Sequence, residues 1–226
     1  MRIFYAIVLL IVLLSACKER SFQQERDRAY HKSLLFFGDS LVQHFPKKLE
    51  NAGYETTVLG ATDTIKYFFK IHRIYLYQKY SDQEYPEMHA RVDSLTKAVY
   101  DANDSTLLLV FDYQDKVEIK GRMYYNEASP LKKELVGRNM RTGKSLPVPL
   151  FGDEYNTGVA YTGTTYNGLR DGFKLHVLDA RAGYFLPGNK LSDSSECLPE
   201  KWKHRFSRGI ALNDQTKEAV CWIVVW

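Results

Sequence analysis

The sequence predicts an α+β domain, with N-terminal helices packed on a mostly antiparallel β-sheet formed by the C-terminal half. Three observations predict it. Apolar residues at helical spacing belong to the first half, as in Met88, Val92, Leu95, Ala98 and Val99. From Thr106 onward, short β-prone runs alternate with Gly-, Asn- and Asp-containing turns. At the end, Gly209 to Leu212 and Ala219 to Trp226 flank the turn Asn213-Asp214-Gln215-Thr216-Lys217 and read as a hairpin. Its last strand sets Ile223 and Val225 on one face and Trp222, Val224 and Trp226 on the other, as a central strand requires.

In chain order, residues 18–32 are polar and charged, including Gln23, Gln24, Glu25, Arg26, Asp27 and Arg28, and predict a tether passing into a helix. Leu34 to Phe37 is a short apolar run. Ser40 to Glu50 carries Leu41, Val42, Phe45 and Leu49 at spacings that predict a helix interrupted at Pro46. Tyr54 to Leu59 alternates as a strand does. Ile65 to Tyr80, dense in aromatics, suits helix or strand and is assigned to helix. Glu87 to Asp101 is predicted as one helix, closed by Asp101-Ala102-Asn103-Asp104. Thr106 to Asp112 predicts a strand buried on both faces, and Val117 to Tyr125 a further alternating strand. The Pro and Gly residues between Pro130 and Gly152 predict a long irregular segment. Gly158 to Tyr166 and Phe173 to Leu178 predict a hairpin through Asn167-Gly168 and Asp171-Gly172.

The first residues carry an address. Arg2 is a short positive region, and Ile3 to Leu13 is an apolar stretch of secretory-signal length, too short to span a bilayer as a mature helix. Leu14-Ser15-Ala16-Cys17 resembles the lipobox of bacterial lipoproteins. The resemblance implies cleavage before Cys17, lipidation of its thiol and N-acylation, with several acyl chains holding the protein on a membrane. Residues 1–16 are then a signal peptide, 17–32 a lipidated tether and 33–226 a single α+β domain. Lys18-Glu19-Arg20 is similar to the charged tether that sends some lipoproteins to the cell surface, although Arg20 stands where a second acid is usual. The expected location is lipid-anchored to the bacterial cell envelope, at the outer membrane, with the periplasmic and surface-exposed faces both open.

Loss of the leader leaves about 210 of 226 residues, enough for one domain of ordinary size. The formal net charge is +4 and no block of like charge is long enough for a nucleic-acid footprint, which excludes nucleic acid as an expected partner. With Cys17 committed to lipid, Cys197 and Cys221 remain. An even pair in a compartment that permits disulfides favours a bridge between them, which would restrict the denatured chain by roughly 3.5 kcal/mol. The other reading is two separate thiols, with Cys221 a small buried hydrophobe in a strand.

Leu34-Leu35-Phe36-Phe37-Gly38-Asp39-Ser40-Leu41 resembles the first block of GDSL (SGNH) hydrolases. In that family an apolar strand delivers a serine nucleophile, so the resemblance implies Ser40 in that role. Val58-Leu59-Gly60-Ala61-Thr62 is similar to the second block, whose glycine serves the oxyanion hole. A serine needs a histidine base oriented by a carboxylate. The family's late Asp-x-x-His segment is missing: His176 precedes Asp179, and His204 has Glu200 four positions before it. Asn103-Asp104 also precedes an apolar strand where the third block follows one. The preferred reading is that Gly38-Asp39-Ser40 caps the next helix, with Asp39 or Ser40 bonding its free N–H groups.

His31, His44, His72, His89, His176 and His204 are read as solvated or core-edge residues without metal-ligand spacing, so neither a metal nor another cofactor is expected. Trp202-Lys203-His204-Arg205-Phe206-Ser207-Arg208 mixes cations with aromatics. Trp202, Arg205, Phe206 and Arg208 are the candidate ligand-binding residues, for an anionic or sugar ligand, with the alternative that Trp202 and Phe206 roof the sheet core. The expected function is that of a membrane-anchored envelope lipoprotein of non-catalytic binding type, its partner an envelope protein, a toxin it neutralises or a glycan. The alternative is a GDSL-like esterase or acyl hydrolase with Ser40 as nucleophile and His176 or His204 as base.

Overall fold

The computed structural model describes residues 23–49, 53–57, 65–67, 71–111, 115–119, 122–126, 130–151, 164–186 and 198–226. Residues 1–16, expected as a signal peptide, Cys17, Cys197, Val58 to Thr62 and residues 158–163 of the strand expected over Gly158 to Tyr166 lie outside them. Among the described residues no helix is long and apolar enough to cross a membrane.

The chain has the predicted α+β architecture, with a mostly antiparallel sheet. The N-terminal helix α1 runs over residues 23–37, so regular structure begins inside the segment expected as tether. Tyr30 and Phe37 explain this. They are buried, and the Tyr30 hydroxyl donates to the Pro46 carbonyl at 2.7 Å. α2 (Asp39–Val42) follows after a break at Gly38, whose φ of 79° and ψ of 151° suit only glycine. No side chain caps this helix, which corrects the expected Asp39 or Ser40 cap. The helix predicted to Glu50 stops at Val42, yet its apolar residues Leu41, Val42, Phe45 and Leu49 are all buried.

β1 (Gly53–Thr57) pairs with β3 (His72–Lys79), and β2 (Ile65–Tyr67) lies between them in sequence. The helix assigned to Ile65 to Tyr80 is therefore two strands. β3 alternates, with Ile74 and Leu76 in one core and Tyr75 in the other, and a strand buried on both faces leaves no period to read. α3 (Tyr85–Leu95) begins with a reciprocal Ser81–Glu84 box, in which the Glu84 N–H donates to Ser81 Oγ and the Ser81 N–H to Glu84 Oε2. It ends at Leu95, not at Asp101. Ala98–Asp101 forms β4, whose ladder with β9 (Phe173–Ala182) outweighs the helical spacing of Ala98 and Val99.

β5 (Leu108–Val110) is wholly buried and pairs in parallel with β8 (Pro147–Pro149). β6 (Asp115–Ile119) and β7 (Arg122–Asn126) make a hairpin that extends to β2, where one strand was expected. The segment expected to be irregular contains α4 (Pro130–Thr142). Pro130 opens it, where a missing N–H costs nothing, and Asn139 secures it to β5 by accepting from Leu109 N–H and donating to Leu109 C=O. The chain closes with a 3₁₀ turn at Glu200–Trp202, β10 (Arg205–Asn213) and β11 (Glu218–Val225), the predicted terminal hairpin.

The main sheet has the order β1-β3-β11-β10-β9-β4, every neighbour antiparallel. β11 is an interior strand with two apolar faces. Cys221, Ile223 and Val225 pack with α1, α2 and α3, while Trp222, Val224 and Trp226 pack with β5, β8 and α4. Between β9 and β10 the register shifts at Arg208/Gly209, so Asp179 faces Arg208 and Val177 faces Gly209. Leu178 is the extra residue of this bulge.

Candidate functional site

α3 crosses the helix-covered face of the sheet and leaves a groove on the flank toward α2. Gln43 and His44 from the turn after α2, Arg91 and Leu95 of α3, Leu178 of β9 and Arg208 of β10 enclose 280 Å³. Past His44, Arg91 and Leu95 it narrows into a 90 Å³ crevice lined by Phe45, Val92, Ile210 and Cys221. The bulge matters here, since it turns Leu178 into the groove while leaving Asp179 opposite Arg208.

The groove combines an apolar floor with cations. Arg208 donates through a guanidinium N–H to the Ser40 carbonyl, while its Nε is buried without a partner. Burial lowers its pKa and Asp179 opposes that effect. Asp179 is already engaged by Lys97 at 2.5 Å and Arg181 at 2.9 Å, so it does not fully neutralise Arg208.

His44 is the most perturbed group in the groove. Its Nε2 lies 2.9 Å from the Trp222 carbonyl, an acceptor only, so Nε2 bears the hydrogen and Nδ1 offers a lone pair. That Nδ1 is buried without a partner. Burial, reinforced by Arg208 and Arg91, drives the pKa of His44 down to about 3. The groove is therefore lined by two guanidinium groups, a neutral imidazole and an apolar interior.

Ser40 does not sit at the end of a strand. Leu34 to Phe37, expected as a strand under the hydrolase resemblance, is the last turn of α1, and exposed Ser40 lies at the start of α2. Its hydroxyl bonds no histidine among the described residues. His176 is occupied by Asp93 and Thr96, and His204 is stacked on Tyr184 at 4.8 Å. His44, four residues on, is held neutral and bonded to Trp222, so among the described residues no histidine base is in place for the Ser40 hydroxyl.

The aromatic–cationic stretch is split by the sheet. Trp202 packs against the core on one face, where its carbonyl accepts from Trp226 Nε1 at 2.7 Å; Phe206 is buried in the other, beneath Arg181. Arg205 bonds the carbonyls of Lys201 and His204. Arg208 alone of the four reaches the groove. Cys221 carries a free, buried thiol whose pKa burial pushes up to about 12, while Cys197, its expected bridge partner, lies outside the described residues.

On the other flank of α3, His89 and Asp93 meet His176 of β9, whose pKa burial lowers against the opposing pull of Asp93. The reading of the histidines without ligand spacing is corrected here. His89 and Asp93 stand four apart on one helix, a spacing visible in the sequence. His176 carries no such signal, because only the fold places it under α3. No protein-family model, curated protein or solved structure matches this chain.

Proposed function

We propose that this chain is an envelope lipoprotein, tethered through acyl chains on Cys17, whose folded domain binds a small amphipathic anion non-covalently in the groove between α2 and α3. The groove carries the reading. Arg91 and Arg208 offer charge-assisted hydrogen bonds to a carboxylate or phosphate, and Arg208 retains an unsatisfied buried Nε. Leu95, Leu178, Phe45 and Ile210 offer apolar area to the remainder of the ligand. Neutral His44 lines the groove beside the arginines and repels no donor. Few convergent polar groups over an apolar floor are what a small-molecule site requires. The covalent alternative through Ser40 draws no support from this geometry, which among the described residues offers that hydroxyl no histidine base.

Octanoate titrated into the purified protein tests the proposal, with uncharged octanamide as control. One saturable site for octanoate is expected, weakened at least about tenfold by either Arg91→Ala or Arg208→Ala, the loss of one charge-assisted bond. Octanamide should bind far more weakly. Equal binding of the two compounds, or arginine variants that bind octanoate as the parent does, would refute it.

A further inference from the structure

α3 and β9 bring together three donor groups that neither the fold core nor the groove uses. His89 Nδ1 lies 3.0 Å from Asp93 Oδ2, and His176 Nδ1 lies 3.4 Å from Asp93 Oδ1. One donor atom from each of the three residues falls within 4.8 Å of the other two. A tetrahedral ion with bonds of about 2.0–2.1 Å to nitrogen and oxygen separates its ligand atoms by roughly 3.3–3.4 Å. Each histidine already lies near that spacing from one Asp93 oxygen, His89 from Oδ2 and His176 from Oδ1, and rotation of the exposed Asp93 and partly exposed His89 side chains draws the three together on one ion.

The surroundings of His89 strengthen the case. Its Nε2 faces Asp214 Oδ1 at 3.4 Å, and the Tyr85 hydroxyl donates to that same oxygen at 2.9 Å. With Nε2 beside the Asp214 carboxylate, Nδ1 of the same imidazole stands beside a second carboxylate, that of Asp93. A lone pair and a carboxylate at 3.0 Å repel unless a proton or a cation lies between them. A carboxylate on the far nitrogen of a ligating histidine is also the usual outer support of a metal site.

We propose that His89, Asp93 and His176 bind a divalent transition-metal ion, zinc(II) by preference, with Asp214 orienting His89. Two imidazoles and one carboxylate suit a borderline ion and disfavour calcium or magnesium, which take oxygen ligands. The ligands stand on a helix and an interior strand, so their relative positions are fixed before the ion arrives. His176 is nearly buried, His89 is partly exposed and Asp93 is half-exposed, which leaves a coordination position open to water and a path for entry. Thr96 Oγ1 at 3.3 Å from His176 Nδ1 shares that nitrogen with Asp93. Metal binding replaces those contacts.

The test uses the full-length protein in detergent, without a polyhistidine tag. Cobalt(II) is titrated as a spectroscopic probe and zinc(II) by calorimetry. One equivalent of cobalt with visible absorption typical of a four- or five-coordinate nitrogen–oxygen site is expected, displaced by zinc, with micromolar or tighter affinity. Asp93→Asn and His89→Gln should each weaken zinc at least about a hundredfold, and Asp214→Asn about tenfold to a hundredfold. His31→Gln and His204→Gln should bind as the parent does. Both principal variants change residues with solvent exposure, and their circular dichroism should match the parent's. The absence of saturable binding up to millimolar metal, or affinity unchanged in Asp93→Asn and His89→Gln, would overturn the proposal. Octanoate binding is expected to be indifferent to either variant, so the groove and the metal site stand or fall separately.

Discussion

His44 shows how a single residue acquires its properties from position alone. Nothing in Gln43-His44-Phe45 marks it out in sequence, yet burial together with Arg91 and Arg208 holds its pKa near 3, against 6.5 for the free side chain. The depressed value means that, between pH 6.5 and 3, the unfolded chain binds a proton that the native state refuses. Stability from this group is therefore complete above pH 6.5 and lost on acidification, at up to about 1.4 kcal/mol per pH unit. His44→Gln removes the titration and retains an N–H for the Trp222 carbonyl. Urea denaturation at several pH values should show the parent's advantage over this variant shrinking by roughly 2 kcal/mol between pH 6.5 and 5. Parallel stability curves would mean that His44 titrates normally. At this scale legibility varied with what creates each site. Arg208 was singled out and does line the groove, but its sequence neighbours Trp202 and Phe206 diverge to opposite faces of the sheet. His89 and Asp93 were readable from their spacing. His44 and His176 were not, since each owes its partners to residues 80 or more positions away.

Among elements, the β9–β10–β11 unit determines the shape of the groove. Gly209 lies opposite Trp222 on β11 and beside the bulge that turns out Leu178. A Cβ built at Gly209 would meet Trp222 Cζ2 at 2.3 Å and the His176 carbonyl at 2.4 Å, so the indole occupies the space that any other residue needs. Gly209→Ala should cost about 3 kcal/mol by overpacking an interior strand. The change should appear as a lower thermal or urea midpoint, and an unchanged midpoint would show that the indole does not rest there. The terminal hairpin was legible because its turn residues and its two-faced apolar strand agree. Where local signals conflict with pairing, tertiary structure prevails. Ala98 and Val99 fit the helical face of α3, but strand β9 offers them a ladder. The Pro and Gly content after Pro130 hid α4 in the same way, because Pro130 stands at the helix start and Gly137 costs only about 1 kcal/mol within it.

For the whole molecule, the question is how the domain sits relative to the membrane. The α+β class was readable from the order of patterns, whereas the neighbours β3 and β11 are separated by most of the chain and nothing local announces their pairing. The position of α1 adds a constraint. Helix is described from residue 23, and the six residue steps between Cys17 and that point reach at most about 20 Å. A domain acylated at Cys17 is thus held within about one tether length of the lipid surface. One acyl chain binds a bilayer only marginally and two or more bind durably, so the anchor, under this reading, depends on the single thiol at Cys17. Cys17→Ala, expressed with its leader intact, should move the protein from the detergent phase to the aqueous phase in Triton X-114 partitioning. Its denaturation midpoint should stay unchanged, since both described core clusters are built from residue 30 onward. A Cys17→Ala protein that still partitions with detergent would end the lipoprotein reading, whereas release with intact stability would separate the address of this chain from the ligand chemistry of its fold.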